Sequence, residues 1–317
     1  MGIKKKLGFL AILSIVLAVL YVGIGLNANN WQYALSRRLP SMLAVVLTGG
    51  CIAFSTTIFQ TVTNNRILTP SVLGLDALYM FIQTTVVFVL GSTGNTFVNN
   101  SNVNFVLSLG FMTGFSLILF KLLFKKETNN IYFLLLVGLI FGTLFQSLSS
   151  FMQMLIDPNE FTIIQGRMFA SFNNVNKDIL AMSIAVIFLV VALTYKQMKL
   201  LDVMSLGKEQ AINLGVNYDK VAKKMLIAVA VLVSVSTALV GPITFLGLLV
   251  ANLAREFLGT FKHKYLIWGA VLISLVALLG GQFIVSRLIN FNTTLSVIIN
   301  FVGGLYFIYL LLKENKA

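Results

Sequence analysis

The side chains able to do chemistry in this chain are few. There is one histidine, His263, and one cysteine, Cys51, so neither a zinc site of the H-E-x-x-H type nor a His-assisted nucleophile has the partners it needs. His263 sits in the basic turn Phe261-Lys262-His263-Lys264-Tyr265 and is expected to be an interfacial residue without a role. Cys51 falls within an apolar run, which leaves no disulfide framework and no reading of redox compartment. A carboxylate inside an apolar run is the mark of an ion-coupled carrier, because burying its charge costs about 2.5–3.5 kcal/mol on insertion scales. Asp76 is the clear instance, near the start of its run, and its expected state is a hydrogen bond to neighbouring backbone, Ser or Thr. No chain of acids accompanies it, which argues that the energy for any transport comes from elsewhere.

Two further groups of residues carry chemical information. Arg37 and Arg38 precede one apolar run and Arg287 ends another; they read either as snorkelling anchors or as a basic patch that pairs with carboxylates of a docking protein, a geometry that guanidinium suits. The second group is the mixed-charge stretch 205–220, Ser-Leu-Gly-Lys-Glu-Gln-Ala-Ile-Asn-Leu-Gly-Val-Asn-Tyr-Asp-Lys. It reads as two short helices separated at Gly215. Ser205 or Gly207 starts the first, Leu206, Ala211 and Leu214 give it an apolar side, and Asn217 caps the second. Helices this short are marginal alone. The stretch must therefore lie on the membrane or its own bundle, or enter a groove of a cytosolic partner.

The elements that position these residues are membrane helices. Of 317 residues, 58% are hydrophobic and 10% charged, against roughly 25% charged in soluble domains. About ten apolar runs are long enough, or nearly so, to cross a ~30 Å hydrocarbon core: 7–26, 39–61, 71–91, 104–124, 131–156, 177–195, 224–240, 243–258, 264–286 and 294–312. The expected fold is all-α, a polytopic membrane protein forming a single permease-like domain over 1–317, with the first run retained rather than cleaved as a leader. Of the 23 Lys and Arg, all but Arg37, Arg38, Arg167, Lys177 and Arg287 fall on one side if the N-terminus is cytoplasmic. The positive-inside rule then puts both termini and residues 201–220, between the sixth and seventh helices, in the cytoplasm of a cell whose plasma membrane the chain crosses. The net charge of +13 reports topology and requires no nucleic acid.

Proline and glycine break two runs. Gly241-Pro242 precedes a run too short to span, and Pro70 and Gly74 punctuate the entry to the third; such breaks must be enclosed by protein or line a water-filled path. The long connection 156–178 has room for a short surface helix. Gln146, Ser147, Ser149 and Ser150 on the fifth run are expected to line a weakly polar path.

With these motifs in place the chain resembles the permease subunits of ABC importers for iron-siderophore complexes, haem and vitamin B12. The family's Arg-x-Pro-Arg appears as Arg38-Leu39-Pro40-Ser41. Its L-G-x-x-x-A-x-x-L-G-V is Leu206-Gly207-Lys208-Glu209-Gln210-Ala211-Ile212-Asn213-Leu214-Gly215-Val216, and its G-P-I-x-F-x-G-L is Gly241-Pro242-Ile243-Thr244-Phe245-Leu246-Gly247-Leu248. Departures are Ser41 for the second Arg, Asn65-Arg66-Ile67 for Asn-Pro-Leu, and Ala251-Asn252-Leu253-Ala254-Arg255 for Pro-His-Leu-Ala-Arg.

The resemblance implies ten helices per subunit and a channel formed with a second permease subunit. It also implies two cytosolic ATPases that carry the ATP and magnesium, and an extracellular binding protein that delivers a ferric siderophore. On this reading Leu206, Gly207, Glu209, Ala211, Leu214, Gly215 and Val216 dock the ATPase, while Asn65 and Ile67 belong to a cytoplasmic gate. Arg37, Arg38 and Arg287 receive the binding protein. No metal, cofactor or catalytic residue belongs to this chain. The run 64–79 is similar to the second permease of importers for catechol siderophores such as petrobactin. An ion-coupled carrier of a small solute is the alternative.

Overall fold

The computed structural model describes residues 2–25, 31–91, 100–125, 131–173, 175–287 and 293–314. In chain order the helices are α1 (Ile3–Gly23), α2 (Trp31–Val62), α3 (Leu75–Leu90), α4 (Ser101–Lys125), α5 (Ile131–Leu155), α6 (Pro158–Met168), α7 (Lys177–Thr194), α8 (Met198–Met204), α9 (Lys208–Asn213), α10 (Tyr218–Val240), α11 (Leu246–Leu258), α12 (His263–Arg287) and α13 (Leu295–Glu314). No strand occurs among the described residues. This is what lipid requires of an apolar chain, since only helices and closed barrels satisfy their backbone polar groups without water.

Every apolar run read from the sequence coincides with a helix. Those long and apolar enough to cross a membrane are α1, α2, α4, α5, α7 with its continuation into α8, α10 and α12, and α3 and α13 are shorter apolar helices. Several helices overrun their apolar cores. α2 begins at Trp31 and encloses Pro40, and α10 begins at Tyr218. Hydropathy registers only the lipid-facing part, whereas the true end is set by a cap: Asn217 Oδ1 accepts from Lys220 N at 3.2 Å.

The centre of the bundle is α2 against α10, flanked by α12 on α2 and by α4 and α7 on α10, with α1 outside α12 and α3 against α5. About two thirds of the most apolar stretch of α2 and of α10 is buried, but only 11% of that of α1 or α5. The peripheral pair therefore presents its apolar surface outward, to lipid or to another chain.

Both breaks are tight crossings. Pro70–Leu73 form a 3-10 turn closed by Gly74 at φ +79°. A Cβ on Gly74 would lie 2.9 Å from the Gly138 carbonyl oxygen and from Gly142 Cα, and one on Gly138 would lie 2.8 Å from Leu73 Cα. The turn thus rests on a Gly-x-x-x-Gly face of α5, the small-residue contact that lets backbones meet in membranes. At the other break Gly241 adopts φ +103°, and a Cβ there would lie 3.0 Å from Ala170 Cα. Val240 O accepts from Ser171 N at 2.8 Å, so the segment after α6 satisfies a helix end that Pro242 leaves open. α11 then runs only 13 residues. The expected surface helix in 156–178 is α6, capped by Asp157, which accepts from Asn159 N at 2.8 Å, with Pro158 in its first turn.

Candidate functional site

The stretch 205–220 folds as two helical segments divided at Gly215, as its caps require. Gly207 (φ +101°) starts α9 and Gly215 (φ +84°) stops it, with Val216 N donating back to Ala211 O at 3.0 Å. Ser205 closes the preceding helix instead, its Oγ donating to Asp202 O at 2.7 Å. The single apolar side read from the sequence is corrected: Ala211 is fully buried, whereas Leu206 and Leu214 are 58% and 63% exposed, with Ile212 at 49%. Six residues make fewer than two turns, and the two glycine turns swing the flanking leucines outward. Glu209 is exposed beside them, and Val216 packs against the core. An exposed ion pair, Lys208 Nζ to Asp219 Oδ1 at 3.2 Å, ties α9 to α10 and contributes at most about 1 kcal/mol.

This element is anchored by a residue the sequence gave no reason to single out. His263 is 2% exposed rather than interfacial. Its Nδ1 and its backbone N both lie 2.7 Å from Asp202 Oδ1 in α8, and its Nε2 lies 2.7 Å from Thr61 Oγ1 in the last turn of α2. On the far side of the element, the Tyr218 hydroxyl donates to Val62 O at 2.8 Å. No local signal marks these partners, because they come from other helices.

The loop after α2 leaves directly from that turn. Asn64 takes the left-handed region (φ +48°), open to Asn at modest cost, and Asn65 Oδ1 accepts from Ile67 N at 2.9 Å. Gln60 Nε2 and Asn252 Nδ2 both donate to Arg66 O, at 2.6 and 3.1 Å. Two departures from the resembled motifs, Arg66 and Asn252, therefore meet in one contact. Asn65, Arg66, Arg255 and His263 line a cavity of about 420 Å³.

A second cavity, about 500 Å³, lies along α3 and α5 and is walled by Gly74, Asp76, Gln146, Ser149, Ser150, Pro242 and Thr244, among others. Both helix breaks open onto it. Of the expected lining residues, Ser147 is not in its wall and donates to Thr143 O at 2.8 Å. Asp76 Oδ2 accepts from Thr244 Oγ1 at 2.8 Å, which matches the expected hydrogen-bonded carboxylate and ties α3 to the Gly-Pro break. Amides and hydroxyls dominate the polar wall, a surface that can bind and release a preformed complex by hydrogen bonds.

The arginines at the start of α2 separate into two roles. Arg38 Nη1 donates to Val22 O and Ile24 O at 2.7 and 2.8 Å, satisfying carbonyls at the end of α1. Arg37 is exposed and lies over the Tyr33 ring at 5.2 Å. Ser41, where the motif has its second Arg, is buried and donates to Phe172 O. Arg287 is the last residue of α12 and its side chain lies outside the described residues. From Arg38 to Thr61 α2 covers about 35 Å at 1.5 Å per residue, so Arg37 and Arg38 stand a membrane thickness from the His263 cluster. Arg167 is also committed inward, donating to Gln83 Oε1 at 2.7 Å; burial lowers its pKa from the ordinary value, with Tyr79 acting the opposite way.

The chain is similar over most of its length to several characterised permeases. The petrobactin import system permease protein YclO of Bacillus subtilis (strain 168) is 61% identical over 95% of this chain and 96% of its own. The corresponding FatC of Bacillus anthracis is 36% identical over 92% and 82%. The fold superposes on that of a metal-chelate type ABC transporter in an inward-facing conformation, with a TM-score of 0.81 over 98% of this chain and all of the other, at 22% identity. Residues 4–313 match the FecCD transport family model, and the chain is a multi-pass membrane permease belonging to that family.

Proposed function

We propose that this chain is the permease subunit of an ATP-driven importer and that it translocates a ferric siderophore of the petrobactin class across the cytoplasmic membrane. The observation that carries this reading is the element 205–220. It is a short, glycine-bounded knob that exposes Leu206, Ile212 and Leu214 beside Glu209, at the opposite end of α2 from Arg37. Apolar side chains on a rigid protrusion of charged surroundings fit a groove on a protein partner. That partner is the cytosolic ATPase, which holds the ATP and magnesium.

The remaining roles follow from position. The binding protein docks on the Arg37 face, with Arg287 near it and Arg38 chiefly holding α1. The cavity along α3 and α5 forms one wall of the path, the apolar outer face of α5 meets a second permease subunit, and Asn65 and Ile67 close the path from the cytoplasm. Both termini are cytoplasmic and the chain carries no cofactor of its own. The test is reconstitution into vesicles with and without co-expressed ATPase, second permease and binding protein. ATP-dependent uptake of ferric petrobactin only by the full assembly is expected, and accumulation by the lone chain on an ion gradient would overturn the reading.

A further inference from the structure

The knob is fastened to a single turn of one helix at both of its ends. Before it, Asp202 of α8 holds His263, which reaches Thr61; after it, Tyr218 of α10 reaches Val62. Thr61 and Val62 are consecutive and end α2. The loop bearing Asn65 and Ile67 begins immediately beyond, and Gln60, one residue earlier, holds that loop through Arg66 O.

All the groups concerned are shielded from water: His263 is 2% exposed, Thr61 5% and Tyr218 8%. Separating them leaves buried polar atoms unpaired, and close-packed interiors shift as bodies rather than compress. A displacement of 205–220 therefore has to take the last turn of α2 with it or break bonds that water cannot replace.

We infer that Asp202, His263 and Tyr218 are positioning residues that transmit movement of the 205–220 element, through Thr61 and Val62, to the Asn65–Ile67 loop. They touch neither cargo nor nucleotide. The inference rests on the coupling role proposed above and adds the route by which that coupling reaches the gate. Two attachments on one turn define a direction as well as a link, since a single bond would let the turn pivot. His263 acts as a spacer whose two ring nitrogens bridge α8 and α2, a span that no shorter polar side chain at the start of α12 reproduces.

The experiment uses the whole importer, co-expressed and reconstituted with its binding protein, and reads iron delivered per ATP hydrolysed with radio-iron ferric petrobactin. Tyr218→Phe and Thr61→Val each remove one hydroxyl with little change of shape. Each is expected to lower the ratio about threefold and the pair about tenfold or more, with hydrolysis itself within about twofold of the parent. Thr61→Ser keeps the hydroxyl and loses the methyl, so it should retain the parental ratio; a merely structural role for the methyl would reverse the order of Ser and Val. The thermal midpoint of each assembly guards against misfolding. If Leu214→Asp uncouples the assembly but the Tyr218→Phe, Thr61→Val pair does not, this inference fails and the coupling reading stands. If Leu214→Asp also leaves the ratio unchanged, both fall.

Discussion

One carboxylate oxygen of Asp202 accepts from His263 twice, from the backbone N–H and from ring Nδ1, each at 2.7 Å. Asp202 thus caps α12 from a helix about sixty residues away in the chain, as the item's separation of 61 shows for this pair, and orients the imidazole toward Thr61. Loss of a helix cap costs roughly 0.5–2 kcal/mol, and an orphaned buried polar group roughly 1–3 kcal/mol. Asp202→Ala should lower the thermal midpoint of the detergent-solubilised protein by the equivalent of about 2–3 kcal/mol, whereas Asp219→Ala, which removes an exposed ion pair, should lower it by less than about 1 kcal/mol.

Gly74 and Gly138 leave no room for a methyl group. At Gly74 the added Cβ would meet backbone at 2.9 Å under a left-handed φ, and at Gly138 it would meet Leu73 Cα at 2.8 Å. Backbone cannot rotate aside as a flexible side chain can. Gly74→Ala and Gly138→Ala should each destabilise by about 1–3 kcal/mol or more, read as reduced folded yield and an earlier melt, while Gly114→Ala, with open space around its Cα, should be near neutral.

Arg37 and Arg38 are adjacent in sequence but should separate by experiment. Arg38→Ala removes two charge-assisted bonds to the end of α1 and is expected to cost about 1.5–3 kcal/mol of stability. Arg37→Ala should leave the melt within about 0.5 kcal/mol and weaken binding-protein affinity instead, measured on the assembled transporter by titration with the binding protein.

Leu214 is exposed where a soluble surface would carry a polar residue. Leu214→Asp should leave stability of the isolated chain within about 0.5 kcal/mol, yet reduce ATPase association by about tenfold or more if the leucine fills a groove as interface anchors do. Co-purification yield and binding isotherms with the ATPase check this.

Asp76 distinguishes the two energy sources. Asparagine in its place keeps an acceptor for Thr244 Oγ1 and removes the charge. An importer driven by ATP should retain uptake within about threefold with Asp76→Asn, since the loss is one charge-assisted bond made neutral. An ion-coupled carrier should lose uptake altogether while ignoring ATP depletion.

Composition, run length and punctuation determined that this chain is a bundle of membrane helices, that it breaks at Pro70–Gly74 and Gly241-Pro242, and that 205–220 folds as two short capped segments. These are local properties: a residue's hydropathy, a missing N–H or a left-handed φ acts on its immediate neighbours. Only the tertiary structure decided that His263 is buried, that Arg38 closes α1, and that Leu206 and Leu214 turn outward while Ala211 turns in. His263 and Thr61 lie 202 positions apart, and Arg66 O and Asn252 lie 186 apart. A hydrogen bond between helices depends on how whole helices cross, and nothing in the few residues around either partner encodes that crossing.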